Sequence, residues 1–273
     1  MTDALNTFLL RLRQQPAVLV TVASTRGSVP REAGTWMAVF ENDSIGTIGG
    51  GHLEWDAIRR ARESLRRCAV DVAVQSVTLG PALGQCCGGA LQLSYAWVSA
   101  ADVETLAARL RTAPRPLALF GGGHVGRALV QALAPLPYAV TWIDSRDEVF
   151  PGDLPPQVHA EHSDPVQAAV GDLAPGSLVL IMSFSHAEDL DIVAACLQRQ
   201  RTTADLPFVG LIGSRTKWAT FRHRLAERGF GDAELARVNC PIGLPGITGK
   251  EPAVIAASVV AQLLLVRSGA AKG

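Results

Sequence analysis

The residues best suited to hold a ligand lie in LALFGGGHVGRALVQAL, which begins at Leu117. Gly121, Gly123 and Gly126 there have the G-x-G-x-x-G spacing. An apolar run precedes them and an amphipathic run follows, so the glycines are expected to join a buried strand to a helix. In that setting the first glycine permits the tight turn, the second lets a phosphate approach the backbone, and the third lets helix and strand pack closely. Free amides and the positive end of the helix dipole then favour an anion. Asp144 closes the next apolar run, AVTWID, at about the 20-residue offset where a carboxylate accepts ribose hydroxyls. It would repel a 2′-phosphate, and Arg146, two residues later, softens that repulsion. The plain alternative is that the glycines serve packing and Asp144 only ends the strand.

A second glycine loop occurs in GTIGGGHLEWDA, from Gly46. Gly49, Gly50 and Gly51 precede a helix, and Gly50 and Gly51 are candidate binding residues of a second anion nest. His52 and Glu54 fall at the helix start, where a carboxylate is electrostatically favoured. Glu54 reads equally as an ordinary first-turn charge, and spacing does not decide a role for His52. LGQCCGGALQL places Cys86 and Cys87 in a glycine-bounded turn. Adjacent cysteines are poor zinc ligands, because structural zinc sites use C-x-x-C pairs and no partner pair exists. Nearby amides can lower a thiol pKa, and a thiolate suits soft metals. The competing reading is two small residues filling a turn. Cys68, Cys196 and Cys240 read as core or loop fillers. GSRTK (from Gly213) and the basic residues Arg222, His223, Arg224 and Arg228 read as a solvated helix face or an anion contact. Arg26 and Arg31 lie in an expected loop, Ser24 to Arg31.

These residues need elements to position them. AVLVTVAST (from Ala17), TWMAVF (from Thr35), VDVAVQSVTL (from Val70) and ALQLSYAWV (from Ala90) have the β-branched and aromatic content of strands. HLEWDAIRRARESLRR between them carries Leu53, Ala57, Ala61 and Leu65 on one helical stripe. Beyond the boundary signal Pro114-Arg115-Pro116, apolar strands and helices alternate. Strands are expected from Leu117, Ala139, Ser177 and Phe208, with a weaker one at Val158. Helices are expected from about His124, Glu188, Lys217 and Pro252. Nearly continuous apolar strands imply a parallel sheet covered on both faces. The fold class is therefore α/β: a smaller α+β domain over 1–113, then a Rossmann-type parallel sheet over 116–273. The ligand is expected between the two domains, at the carboxyl ends of the parallel strands.

Bulk properties narrow the function classes. With 48% hydrophobic and 18% charged residues among 273, a sizeable core can form. Lys+Arg and Asp+Glu are both 25, so neither nucleic acid nor an anionic membrane surface is an expected partner. A neutral chain resists self-association poorly, which makes a homodimer an expectation. No uncharged apolar run reaches about 18 residues, so no membrane span is expected. MTDALNTFLLRLRQQ carries charges and no cleavage pattern, and reads as an amphipathic helix with Leu5, Phe8, Leu9 and Leu12 on one face. Five cysteines, an odd number, suit a cytoplasmic protein with free thiols.

Together these segments resemble the xanthine dehydrogenase accessory protein family, also called XdhC/CoxI. The matching blocks run in order from STRGSVPREAGTWMAV (from Ser24), GTIGGGHLEW and GPALGQCCGGALQL (from Gly80) to FGGGHVGRAL, WIDSR, SHAEDLDIVAACL, FVGLIGSRTKWATFRHRLAERG and CPIGLPGITGKEPAVIAASVVAQLL (from Cys240). The resemblance implies a non-catalytic or weakly catalytic maturation factor. Such a factor binds molybdenum cofactor (molybdopterin), protects it, supports its sulfuration by a cysteine desulfurase, and inserts it into a xanthine dehydrogenase-type enzyme. It assigns Cys87, and secondarily Cys86, to contact with molybdenum. NAD or another dinucleotide is the alternative occupant of the Gly121 loop. The text departs from the family in PGITGKEPAVIAAS, where Lys250 and a single Glu251 replace a more acidic pattern, and the surroundings of His186 match only in part. Two other functions compete. An NAD(P)-dependent oxidoreductase would have to use His124 or His186, since neither Tyr95 nor Tyr138 has a lysine four positions on. A thiol redox sensor would use Cys86 and Cys87.

Overall fold

A computed structural model describes residues 2–67, 73–79, 88–111 and 113–267. The chain divides into two compact units, Met1–Thr112 and Ala113–Gly273.

The first unit contains α1 (Thr2–Leu12), β1 (Ala17–Arg26), β2 (Trp36–Val39), β3 (Ser44–Gly46), α2 (Gly51–Arg66), β4 (Ala73–Thr78), β5 (Ala90–Val98) and α3 (Val103–Leu110). Its strands form an antiparallel sheet ordered β3-β2-β1-β5-β4. β1 is central, and its side chains alternate between two cores. Val18, Val20 and Val22 pack with Leu53, Ala57 and Ala61 of α2. Ala17 and Leu19 pack with Phe8 and Leu12 of α1 and with Val103 and Leu106 of α3. Burial on both faces explains the unbroken apolar run of β1. After a bulge between Val22 and Ser24 the strand continues, with Arg26 paired to Ala90. The expected loop therefore begins after Arg26, not at Ser24, because the bulge lets β1 follow β5 to its end.

The second unit contains β6 (Arg115–Phe120), α4 (His124–Leu133), β7 (Tyr138–Asp144), β8 (Val158–His162), β9 (Leu178–Ile181), α5 (His186–Thr202), β10 (Phe208–Leu211), α6 (Arg215–Glu227), α7 (Asp232–Leu235), β11 (Val238–Asn239) and α8 (Pro252–Arg267). Its six strands are all parallel, in the order β11-β10-β9-β6-β7-β8. The chain enters at β6 in the middle, winds outward to β8, then returns to β9 and winds the other way. The direction reverses between β6 and β9, and loops at the carboxyl ends of such strands form a crevice. Leu117 and Leu119 of β6 pack with Leu129, Val130 and Leu133 of α4 and with Val259 and Leu263 of α8. Ala118 and Phe120 pack on the opposite face with Leu190, Val193 and Leu197 of α5 and with Phe221 and Leu225 of α6. Pro114 to Pro116 is less of a linker than the prolines suggest. Arg115 and Pro116 open β6, where a missing N–H is tolerated because it falls at the first residues of the strand.

Candidate functional site

The turn from β6 into α4 is shaped by close approaches. At Gly121 φ is 123°, and a side chain there would put Cβ 2.0 Å from the Met182 carbonyl oxygen. A Cβ on Gly126 would lie 2.1 Å from the Gly121 carbonyl oxygen, so the start of α4 rests directly on the loop. Trp142 Nε1 donates to that carbonyl at 2.9 Å, and Gly121 N donates to Ile143 O at 2.8 Å. Gly123 is different: nothing lies within 4 Å of the position its Cβ would take. It caps α4 without a side-chain acceptor, so the amides of His124 and Val125 have no acceptor within the helix. Gly122, Gly123, His124, Arg127, Arg146 and Val149 line an open cleft of about 290 Å³ in front of these amides. Arg127 Nη2 donates to Val149 O at 2.9 Å, which holds the far wall against α4.

Asp144, at the carboxyl end of β7, is buried beside this cleft. Its Oδ2 accepts from Gly122 N at 2.6 Å and from Arg146 Nη2 at 2.9 Å. Its Oδ1 accepts from Arg146 N and Arg146 Nε, both at 2.9 Å. Burial pushes the carboxyl pKa up, but the bonds from Arg146 and Gly122 outweigh it and hold Asp144 below the usual carboxylate range. The guanidinium of Arg146 lies over the Phe184 ring, 4.3 Å from its centroid. Phe184, after β9, is 67% exposed. Ser145 Oγ donates to Glu188 Oε1 at 2.6 Å, and a His162 ring nitrogen lies 3.0 Å from Ser145 O.

Sequence reasoning passed over a buried ion pair further along the same rim. Lys217 Nζ donates to Asp189 Oδ2 at 2.6 Å and to Ile212 O at 2.9 Å. Asp189 Oδ1 accepts from Ser183 N and Ser183 Oγ, both at 2.8 Å. The pair ties the β9–α5 turn to the β10–α6 turn. Its sequence signal was a charged residue in the first turn of each helix, directly after a buried strand. Cys240 lies near Lys217 and is half-buried, which pushes its thiol up to about 11. Cys196 is wholly buried in the core, with a thiol pushed up to about 12. His186 is exposed, with its ring 6.3 Å from that of Phe221. Tyr138 is buried at the amino end of β7, opposite the rim that carries the cleft, and Tyr95, in the first unit, is buried and donates to Gln75 Oε1. On the basic helix, Arg222 pairs with Asp232 and Arg228 with Asp191, as a solvated face does.

In the first unit, Glu54 reaches back into the second glycine loop. Its Oε2 accepts from Thr47 Oγ1 at 2.5 Å, Ile48 N at 3.0 Å and Gly50 N at 3.1 Å. The nest that Gly50 helps to form is thus filled by the protein's own carboxylate. Gly51 opens α2, where His52 stacks on the exposed Trp55 at 5.6 Å. A Cβ on Gly49 would touch Pro30, and one on Gly89 would lie 2.3 Å from Ser28 O. Gly89 is therefore seated against the loop after β1, whereas among the described residues nothing lies within 4 Å of the position a Cβ on Gly88 would take. Cys68, Cys86 and Cys87 lie outside the described residues. Among the described residues, no group of three or more His, Cys, Asp or Glu side chains is placed to hold a metal ion, and no helix is long and apolar enough to cross a membrane.

The family model described as XdhC Rossmann domain matches residues 117–263. The model described as XdhC and CoxI family matches residues 10–72. The uncharacterized protein YqeB of Escherichia coli (strain K12) is 28% identical over 263 residues, which is 94% of this chain and 45% of that protein. The chain therefore spans less than half the length of this relative. A crystal structure of a xanthine dehydrogenase from Bacillus halodurans superposes with a TM-score of 0.77 at 19% identity, covering 98% of this chain and 97% of that one. That likeness shows a shared fold.

Proposed function

Because the chain belongs to the XdhC family, we propose that it is an accessory protein that holds molybdenum cofactor, keeps it while a cysteine desulfurase sulfurates it, and passes it to a xanthine dehydrogenase-type enzyme. The xanthine dehydrogenase description of the Bacillus halodurans structure supports the choice of client. The observation that carries the reading is the cleft at Gly123, which has amides and two arginines on its walls and no free carboxylate acceptor. Such a site suits the phosphate end of a pterin cofactor or of a nucleotide joined to it. The cofactor, when bound, supplies a molybdenum centre held by its own sulfurs. The amides of His124 and Val125 hold negative charge, Gly123 leaves room for it, and Arg127 and Arg146 neutralise it. Cys87, and secondarily Cys86, are proposed as molybdenum contacts on the strength of the sequence resemblance. The alternative of a dehydrogenase would draw its acid or base from His124, which lines the cleft, because Tyr95 and Tyr138 are both buried.

The test is anaerobic titration of the full chain with molybdenum cofactor, followed by transfer to a cofactor-free xanthine dehydrogenase-type enzyme. Saturable binding and recovered client activity are expected. Gly123→Asp, which puts a carboxylate into the cleft, is expected to weaken binding about tenfold or more. Cys87→Ala is expected to lower transfer yield. Binding that never saturates, or that neither substitution changes, overturns the reading.

A further inference from the structure

The end of the second strand in a G-x-G-x-x-G domain is where an acid receives the two hydroxyls of a ribose. In this chain that acid is already spent. An ionised carboxylate offers about four lone-pair sites. Asp144 fills them with Gly122 N, Arg146 N, Arg146 Nε and Arg146 Nη2. A free diol arriving here would have to displace a two-pronged guanidinium from a buried carboxylate. What the cleft presents in place of acceptors is the outer edge of Arg146. The guanidinium has five N–H groups, and Asp144 takes two of them. One face lies on Phe184, so the group is held in place by a ring as well as by a carboxylate. Its side chain is 37% exposed, and it lines the same cleft as Arg127 and His124. Glu188, a second carboxylate near Arg146, accepts from Ser145 Oγ at Oε1, has a buried Oε2 with no hydrogen-bond partner among the described residues, and is not one of the residues lining the cleft.

We propose that Arg146 makes this cleft selective for a phosphate monoester over a free diol. This rests on the reading of the Gly121–His124 loop as a holder of phosphate-bearing ligands and names the chemistry that the loop's neighbour demands. A monoester has oxygens free to accept the outward N–H groups, and it meets a cation already oriented by its internal contacts. A diol can also accept from those N–H groups, but it is neutral, so its bonds are weaker than a phosphate's, and the carboxylate that would take its own O–H donors is already engaged by Arg146. Two sources carry the same chemistry: the 2′-phosphate of a nucleotide and the terminal phosphate of a pterin.

The experiment is calorimetric titration of the full chain with two matched pairs. One pair is NADP+ and NAD+. The other is the oxidised pterin of molybdenum cofactor with and without its terminal phosphate. In at least one pair the phosphorylated member is expected to bind about tenfold tighter or more, and the pair that shows the gap identifies the source. Arg146→Gln, which can still donate one hydrogen bond to Asp144, is expected to close the gap. Arg146→Lys keeps a cation on Asp144 without the fork and is expected to shrink the gap; it serves as the second variant should Arg146→Gln not fold. No gap in either pair, or a gap that survives the folded variants, overturns the proposal. Equal binding of both members that is lost in Gly123→Asp overturns the selectivity alone. Failure of all four probes to bind the wild-type chain overturns the loop reading with it.

Discussion

Asp144 is the residue through which the glycine loop, the strand behind it and Arg146 are joined. Its four hydrogen bonds need the ionised form, so its pKa is depressed even though it is buried. A depressed carboxylate stabilises the fold above the unfolded-state pKa, and that contribution fades as pH falls through the folded-state value. Wild-type protein should therefore exceed Asp144→Asn in urea-unfolding stability by about 1–3 kcal/mol near neutrality, a figure reduced because Arg146 is partly exposed. The difference should narrow below about pH 4. A gap that stays constant across that range would mean the charge of Asp144 is not what ties the loop. The Asp189–Lys217 pair is the second charged knot on the same rim. It is better shielded, at 3% and 11% side-chain exposure.

At the scale of elements, the three motif glycines separate by what surrounds them. Gly121→Ala would force a side chain into the Met182 carbonyl at a backbone angle that L residues rarely adopt, so a loss of several kcal/mol is expected. Gly123→Ala meets open space and should change stability by no more than about 1 kcal/mol. Thermal or chemical unfolding of the two variants reads the contrast, and equal losses would show that the turn is not arranged this way. The parallel sheet was legible because its strands are short apolar runs such as LVLI, buried on both sides. β3 and β11 were not, since three and two residues carry no pattern. β8 was faint because Val158 is its only buried side chain. α5 and α6 begin at His186 and Arg215, two residues before the expected starts. Ser185 Oγ takes the Glu188 amide and Ser214 Oγ takes the Lys217 amide, so the serines are the caps that should have set the boundary. The glycine spacing located the cleft. The engagement of Asp144 by Arg146 was beyond reach, because residue order does not say which way a long side chain turns.

On the scale of the molecule, each unit has its own buried cores, and the chain passes between them at residues 112 and 113. A fragment spanning Ala113–Gly273 should fold alone, since its sheet is covered on both faces by its own helices. Circular dichroism and a cooperative urea transition would show it; a fragment without a cooperative transition would mean that the second unit depends on the first. All six strands of that unit point the same way, so the Gly121, Asp144 and Ser183 turns share one rim. The opposite rim, where Ala174 is exposed just ahead of β9, carries none of them. A fluorescent dye or a surface tether attached at that far side would watch or immobilise the protein while leaving the proposed binding face untouched.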